Sequence, residues 1–310
     1  MQTVAVVLQE PGQLRLSSLE LLPPSDGDIS VDIEWSGIST GTERLFWTGR
    51  MPPFPGMGYP LVPGYESVGI VRESGPRSGH QAGDRVFVPG ARCFKDVRAL
   101  FGGAASRLVV PGGRAIAVDG LGEDAVLLAL AATAHHAIAG HAIPELIVGH
   151  GVLGRLMARL CIALAEHRPV VWESRNDRRS GARGYDVVDP SADDRRDYRT
   201  ICDVSGDSGL LDRLIGCLSP GGEIVLAGFY SEPLQFSFPP AFMREARLRV
   251  AAEWREPDLV AVRDLVRAGK LSLDGLITHR KPAGEAHLAY GTAFDDPSCL
   301  KMILDWRSCS

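Results

Sequence analysis

Apolar and polar residues alternate with a period near two through the first third of the chain. VAVVLQ (4–9), LRLSSLEL (14–21) and ISVDIEWSGI (29–38) alternate or run apolar, separated by turn clusters such as PG and PPSDGD. ESVGIVRES (66–74), DRVFVPG (84–90) and ASRLVVPGGRAIAV (105–118) continue the pattern. This periodicity predicts a β-rich segment. The intervening stretch RLFWTGRMPPFPGMGYPLVPG holds too much Pro and Gly for a regular element. It is nevertheless rich in Phe46, Trp47, Phe54, Met57, Tyr59 and Tyr65.

Near residue 122 the period changes. EDAVLLALAATAHHAIAG reads as a helix and PELIVGHG as a short buried strand entering a glycine turn. VLGRLMARLCIALAEH follows as an apolar helix, then strand RPVVWES, with further strands at YDVVD (185–189), YRTICDVSG (198–206), GEIVLAGF (222–229) and LRVAAEW (248–254). A helix over SGLLDRLIGCLSPGG precedes the GEIVLAGF strand, and another lies near DLVAVRDLVRAGK (258–270). The LITH stretch (276–279) and a closing strand KMILDW end the chain. Strands alternating with helices predict a parallel, doubly wound α/β sheet. The domain boundaries that follow are 1–121 with 256–310 for the β-rich part and 122–255 for the doubly wound part.

Composition narrows the function. The 310 residues include 45% hydrophobic and 23% charged, ordinary for a chain that buries a sizeable core. A net charge of −5 and the lack of an extended basic patch argue against nucleic acid as a partner. The six cysteines are scattered with no C-x-x-C pair, which fits reduced thiols in a cytoplasmic protein. MQTVAVVLQEPGQ does not read as a signal peptide, and the longest apolar run, AVLLALAATA, is too short for a transmembrane segment.

The glycine turn carries the first specific chemistry. Gly149, Gly151 and Gly154 in LIVGHGVLGRLMARL match G-x-G-x-x-G, with a strand before and a helix after. The first permits the tight turn, the second lets backbone approach a pyrophosphate, and the third lets the helix pack closely. The following N–H groups, from Val152 and Leu153 onward, offer partial positive charge to phosphate. Glu173 ends the next strand, 19 residues after Gly154. A carboxylate there bonds an adenosine ribose and repels a 2′-phosphate, which favours NAD over NADP. Arg175, Arg178 and Arg179 in the loop that follows could instead hold a phosphate, or form an ordinary charged surface loop.

SGISTGTER, PGYESVGIV and AGDRVFVPG, followed by the late glycine turn and the return through LITH, together resemble the medium-chain dehydrogenase/reductase superfamily over essentially the whole chain. The resemblance implies a GroES-like β-rich catalytic domain beside a Rossmann domain. Zinc members of that superfamily have a Cys in the first motif, His-Glu in the second and a further Cys before the Rossmann domain. Here those places hold Ser39 or Thr40, Tyr65 and a position near Ala129, and only Glu66 persists. The structural-zinc lobe is absent too: VPGARCFKDVRALFGG has Cys93 alone. Catalytic zinc needs about three Cys, His or carboxylate ligands. His135 and His136, as helix neighbours, are expected to point in different directions. The expectation is an enzyme without catalytic zinc.

Within the superfamily, STGTERLFWTGRMPPFPGMGYPLVPGYE and ATAHHAIAGH resemble the NAD-dependent dehydrogenases of bacteriochlorophyll biosynthesis. Those enzymes oxidise a 3-hydroxyethyl group on a bacteriochlorophyllide to 3-acetyl. The resemblance therefore implies a flat tetrapyrrole substrate, for which Phe46, Trp47, Phe54, Met57 and Tyr59 would form the face. It also implies a homodimer, since the superfamily commonly pairs through the edge of the Rossmann sheet. Thr42 matches the position of a proton-relay hydroxyl, with turn capping as its other reading. Tyr65 either bonds the substrate hydroxyl or fills the volume left by zinc and histidine. Glu66 serves as a structural carboxylate or, if burial raises its pKa, a base. His135 is expected to face the pocket and relay a proton, His136 to pack structurally, and Thr133 to lie near the nicotinamide. A zinc-free, NADPH-dependent quinone or enone reductase, and a nucleotide-binding protein without turnover, stand as alternatives.

Overall fold

A computed structural model describes every residue except Phe54 and Ser310. The chain divides into two compact units, Met1–Ala129 with Leu276–Ser310, and Leu130–Gly275.

The first unit is built on the strand Asp28–Ile38, which pairs antiparallel with three others: Ser67–Ser74, Arg107–Pro111 and Met302–Asp305. Its sheet has seven strands, from His279–Pro282 at one end to Ile116–Ala117 at the other. A second sheet of four strands contains Gln13–Glu20, Gln2–Glu10, Leu61–Val62 and Arg98–Ala99. Alternation in the sequence maps onto burial: Ile29, Val31 and Ile33 face the core, which also takes Val6, Leu108 and Trp306. Two elements escape the periodicity argument. Thr42–Trp47 forms a short helix inside the Pro- and Gly-rich stretch, and Ala286–Asp295 forms a helix between the strands His279–Pro282 and Met302–Asp305. The latter pair is parallel, so a crossover is required and the helix supplies it.

The second unit holds the predicted parallel sheet. Its six strands run in the order Asp186–Val188, Val170–Trp172, Leu146–Val148, Tyr198–Asp203, Leu218–Leu226 and Arg247–Val250. All five neighbouring pairs are parallel. The helix Val152–Ala165 follows the strand Leu146–Val148 and buries nine residues, including Leu156, Met157 and Leu160 together with Arg155 and Arg159. Two local expectations shift. LSPGG belongs to the strand Leu218–Leu226 and not to the preceding helix, which ends at Cys217. Residues 256–275 group with this unit instead of the β-rich one, and residues 122–129 with the β-rich unit instead of this one. The reason for the former is the helix Glu256–Arg267, whose Asp258 accepts hydrogen bonds from both His135 and His136.

Among the described residues no helix is long and apolar enough to cross a membrane. Five of the six cysteines are buried and none is disulfide-bonded.

Candidate active site

The glycine turn takes the geometry its spacing requires. Gly149 has φ +105°, closed to residues with a side chain, and a Cβ on Gly154 would sit 1.9 Å from the Gly149 carbonyl oxygen. That closeness packs the helix Val152–Ala165 onto the strand. A Cβ on Gly151 would meet nothing within 4 Å, so the backbone there stands open to a ligand. Val152 and Leu153 begin the helix. Glu173 is held by two backbone groups: His150 N–H donates to Oε2 at 3.2 Å and Arg175 N–H to Oε1 at 2.9 Å. The carboxylate is thereby fixed beside the turn, and the chain's residues fit a dinucleotide. Arg175 pairs with Asp177 at 2.8 Å. Arg179 donates to the carbonyls of Glu173 and Ser174, at 2.8 and 2.9 Å, and pairs with Asp189. Thr133 sits partly buried in the helix Leu128–Ile138.

In the first unit, the motif residues gather into a polar cluster in which Ser39 and Glu66 are buried and Thr42 and Tyr65 half-buried. The Tyr65 hydroxyl lies 2.7 Å from Ser39 Oγ and also bonds the Thr42 side chain, while its ring meets Phe101 edge-on at 5.5 Å. Burial first, and the Glu66 charge second, hold the phenol's pKa above its ordinary value. Glu66 is fully buried, and both its oxygens accept from Lys301 Nζ, at 2.9 and 2.7 Å. Lys301 also donates to the Ile38 carbonyl at 3.2 Å. Burial raises the Glu66 pKa and the Lys301 ammonium opposes that rise. Gly37 makes room for the pair, since a Cβ there would sit 2.0 Å from Glu66 Oε2.

Sequence reasoning missed Glu43. It is buried, accepts from the Ser39 backbone N–H at 2.9 Å, and bonds the Tyr290 hydroxyl. Burial pushes its pKa up to about 7, against the lowering effect of those bonds, and the nearby Glu66 adds to the rise. The available signal was its place next to Thr42 in GTE, but its partner Tyr290 lies 247 residues away.

These donors do not fit a catalytic zinc. Ser39, Thr42 and Tyr65 offer hydroxyls that bond one another, and both nearby carboxylates are taken: Glu66 accepts on both oxygens from an ammonium, and Glu43 from the Ser39 N–H and the Tyr290 hydroxyl. His135 and His136 lie in the second unit, and they converge where divergence was expected. Their Nδ1 atoms are 2.7 and 2.8 Å from the two oxygens of Asp258. Each ring takes one oxygen of the same carboxylate, so the shared acceptor draws both toward it.

The aromatic stretch turns largely inward. Phe46, expected to line a substrate face, is 1% exposed and packs with Leu8, Leu61 and Leu100, so it belongs to the core. Trp47, Met57 and Tyr59 pack on the same cluster and stay partly exposed. The Tyr59 hydroxyl donates to the Phe46 carbonyl, and Trp47 lies 6.4 Å from Tyr290. Phe54 lies outside the described residues.

Comparison with known proteins decides the family. A family model described as the alcohol dehydrogenase GroES-like domain matches residues 25–120. The chain is 60% identical to a 2-desacetyl-2-hydroxyethyl bacteriochlorophyllide A dehydrogenase from Cereibacter sphaeroides, with 99% of each chain covered. It belongs to that dehydrogenase family. The Rhodobacter capsulatus member is 58% identical, again with 99% of each chain covered. Among solved structures, an Escherichia coli CFT073 alcohol dehydrogenase (rspB), complexed with NADH, superposes with a TM-score of 0.83 at 21% identity, covering 98% of this chain and 99% of that one. At that identity the likeness speaks for the fold. Family membership makes the chain a medium-chain alcohol dehydrogenase.

Proposed function

We propose that this enzyme oxidises the hydroxyethyl group of a bacteriochlorophyllide or chlorophyllide to acetyl, using NAD and no catalytic zinc. The observation that carries the reading is the 60% identity over the full length to the Cereibacter sphaeroides dehydrogenase. The choice of NAD rests on Glu173, whose anchored carboxylate suits a ribose diol and repels a 2′-phosphate. NAD, when bound, supplies the hydride acceptor.

The chain's own residues handle the hydroxyl proton. A phenol whose pKa is raised stays protonated near neutral pH, so Tyr65 orients the substrate oxygen by hydrogen bonding and does not act as the base. Its bonds to Ser39 and Thr42 make a hydroxyl network along which the proton leaves. The reaction thus transfers two electrons and one hydrogen as hydride, and releases one proton. Trp47, Met57 and Tyr59, each partly exposed, supply the apolar contact for the flat macrocycle. Thr133, in the helix Leu128–Ile138, is our candidate for the residue beside the nicotinamide, as the family resemblance implies.

We propose that a homodimer, if formed, pairs through an edge of the second unit's sheet. Strand Arg247–Val250 is one of the sheet's two edge strands, with Val250 74% exposed. Sedimentation showing only monomer at working concentrations would remove this reading.

The activity test mixes protein with NAD or NADP and either a hydroxyethyl chlorin or a simple enone. Red-shifted pigment with NADH formation supports the proposal. NADPH consumption with the enone supports a reductase, and no change in any mixture supports a binding protein.

A further inference from the structure

His150, the middle residue of the Gly149–Gly151 turn, is fully buried and makes contacts that phosphate binding does not require. Its Nδ1 lies 2.7 Å from the Arg178 carbonyl and its Nε2 lies 2.9 Å from the Tyr185 hydroxyl. A carbonyl can only accept, so Nδ1 carries the hydrogen and Nε2 accepts from the Tyr185 O–H. The rings also meet edge to face at 5.6 Å. Burial pushes the imidazole pKa down to about 4, which keeps this neutral arrangement in place at working pH.

Arg155, in the first turn of the helix that follows, completes the set. Its Nε donates to the His150 carbonyl at 3.1 Å, and its Nη2 to the carbonyls of Arg178 and Ser180 at 3.2 and 2.8 Å. Gly181 admits this approach, since a Cβ there would sit 2.5 Å from Arg155 Nη1. The loop at 174–181 is therefore tied to the glycine turn from two sides. The same His150 contributes its backbone N–H to Glu173.

We propose that His150, Tyr185 and Arg155 form a clamp that sets which dinucleotide the enzyme accepts. By holding the loop at 174–181, the clamp presents Glu173 to an unmodified ribose and keeps the loop's arginines from turning to a 2′-phosphate. Arg179 is spent on two carbonyls and Asp189, and Arg175 on Asp177, only while the loop keeps this course. The inference rests on the NAD reading above. His150 is a positioning residue here: it acts through Glu173 and the loop.

The test is fluorescence titration of the full-length protein with NADH and with NADPH, for wild type, His150→Ala and Tyr185→Phe. His150→Ala is expected to weaken NADH about tenfold while NADPH holds or tightens, so the preference ratio falls by at least that factor. Tyr185→Phe keeps the ring, removes one hydroxyl and should lower the ratio about threefold; it carries the test if the alanine variant does not fold. KM for NAD should rise while kcat at saturating NAD stays within about twofold. His150→Gln, whose amide can donate to the Arg178 carbonyl, should restore part of the preference. Equal weakening of both nucleotides, or an unchanged ratio in the variants, overturns the clamp. The wild-type ratio is a separate readout: a preference for NADPH there removes the NAD assignment, whereas the change from wild type to variant still reports on the clamp.

Discussion

Replacing Glu43 with Gln should flatten the pH dependence of stability in the β-rich unit. Glu43 is buried, with the Ser39 N–H on one oxygen and the Tyr290 hydroxyl on the other, and with Glu66 and Lys301 as its charged neighbours. Burial carries its pKa from 4.5 to about 7. The folded protein thus binds this proton more tightly than the unfolded chain does. The stability it contributes is fully present below pH 4.5 and is lost as the pH rises to about 7. At ~1.4 kcal/mol per pH unit, the loss comes to about 3 kcal/mol, most of it between pH 5 and 8. Gln resembles the protonated acid: its carbonyl accepts from Ser39 N–H and its amide donates to the Tyr290 oxygen. Urea unfolding of both proteins at pH 5, 6, 7 and 8 makes the comparison. The variant should match wild type at pH 5 and exceed it by roughly 2–3 kcal/mol at pH 8. Asp203 also has a raised pKa, but it remains in each protein and cancels in the difference; the Glu66 charge adds to the rise at Glu43, so its coupling is part of what the substitution removes. Parallel stability curves for the two proteins would refute the burial argument for Glu43.

Three other outcomes are expected. Lys301→Met leaves the Glu66 charge buried without its partner and should cost about 3–5 kcal/mol, while the Glu66→Gln/Lys301→Met double variant recovers most of it; equal destabilisation of single and double variants in urea would show that the pair's charge is not what matters. Glu173→Ala should weaken NADH binding about tenfold and leave tetrapyrrole binding unchanged; equal loss of both sinks the ribose assignment. Dialysis against a chelator should leave pigment oxidation intact, and metal analysis finding one tightly held zinc per chain would overturn the zinc-free proposal.

Much of the fold follows from local pattern. The strand at 29–38 and the helix at 152–165 declare themselves because alternation and a largely apolar run are properties of neighbouring residues. Gly149, Gly151 and Gly154 do the same, since their conformational and packing roles depend on the turn that contains them. Glu173 was legible because the length of one strand–helix–strand unit sets its place. The helix Ala286–Asp295 was not, because a parallel strand pair creates the need for it and that pairing is not visible in sequence.

The site divides along the same line. The sequence by itself supplied Ser39 or Thr40 and Tyr65 at the places where the superfamily resemblance implies metal ligands, with Thr42 and Glu66 beside them. Only the tertiary structure decided what those groups are. It brings Lys301 to Glu66 across 235 residues and Tyr290 to Glu43 across 247, joins His135 and His136 to Asp258, and closes Tyr185 onto His150. Charge state, tautomer and acidity depend on which groups share a dry interior, and that is settled by long-range packing. Residue type and spacing propose the chemistry; burial and distant partners assign each proton.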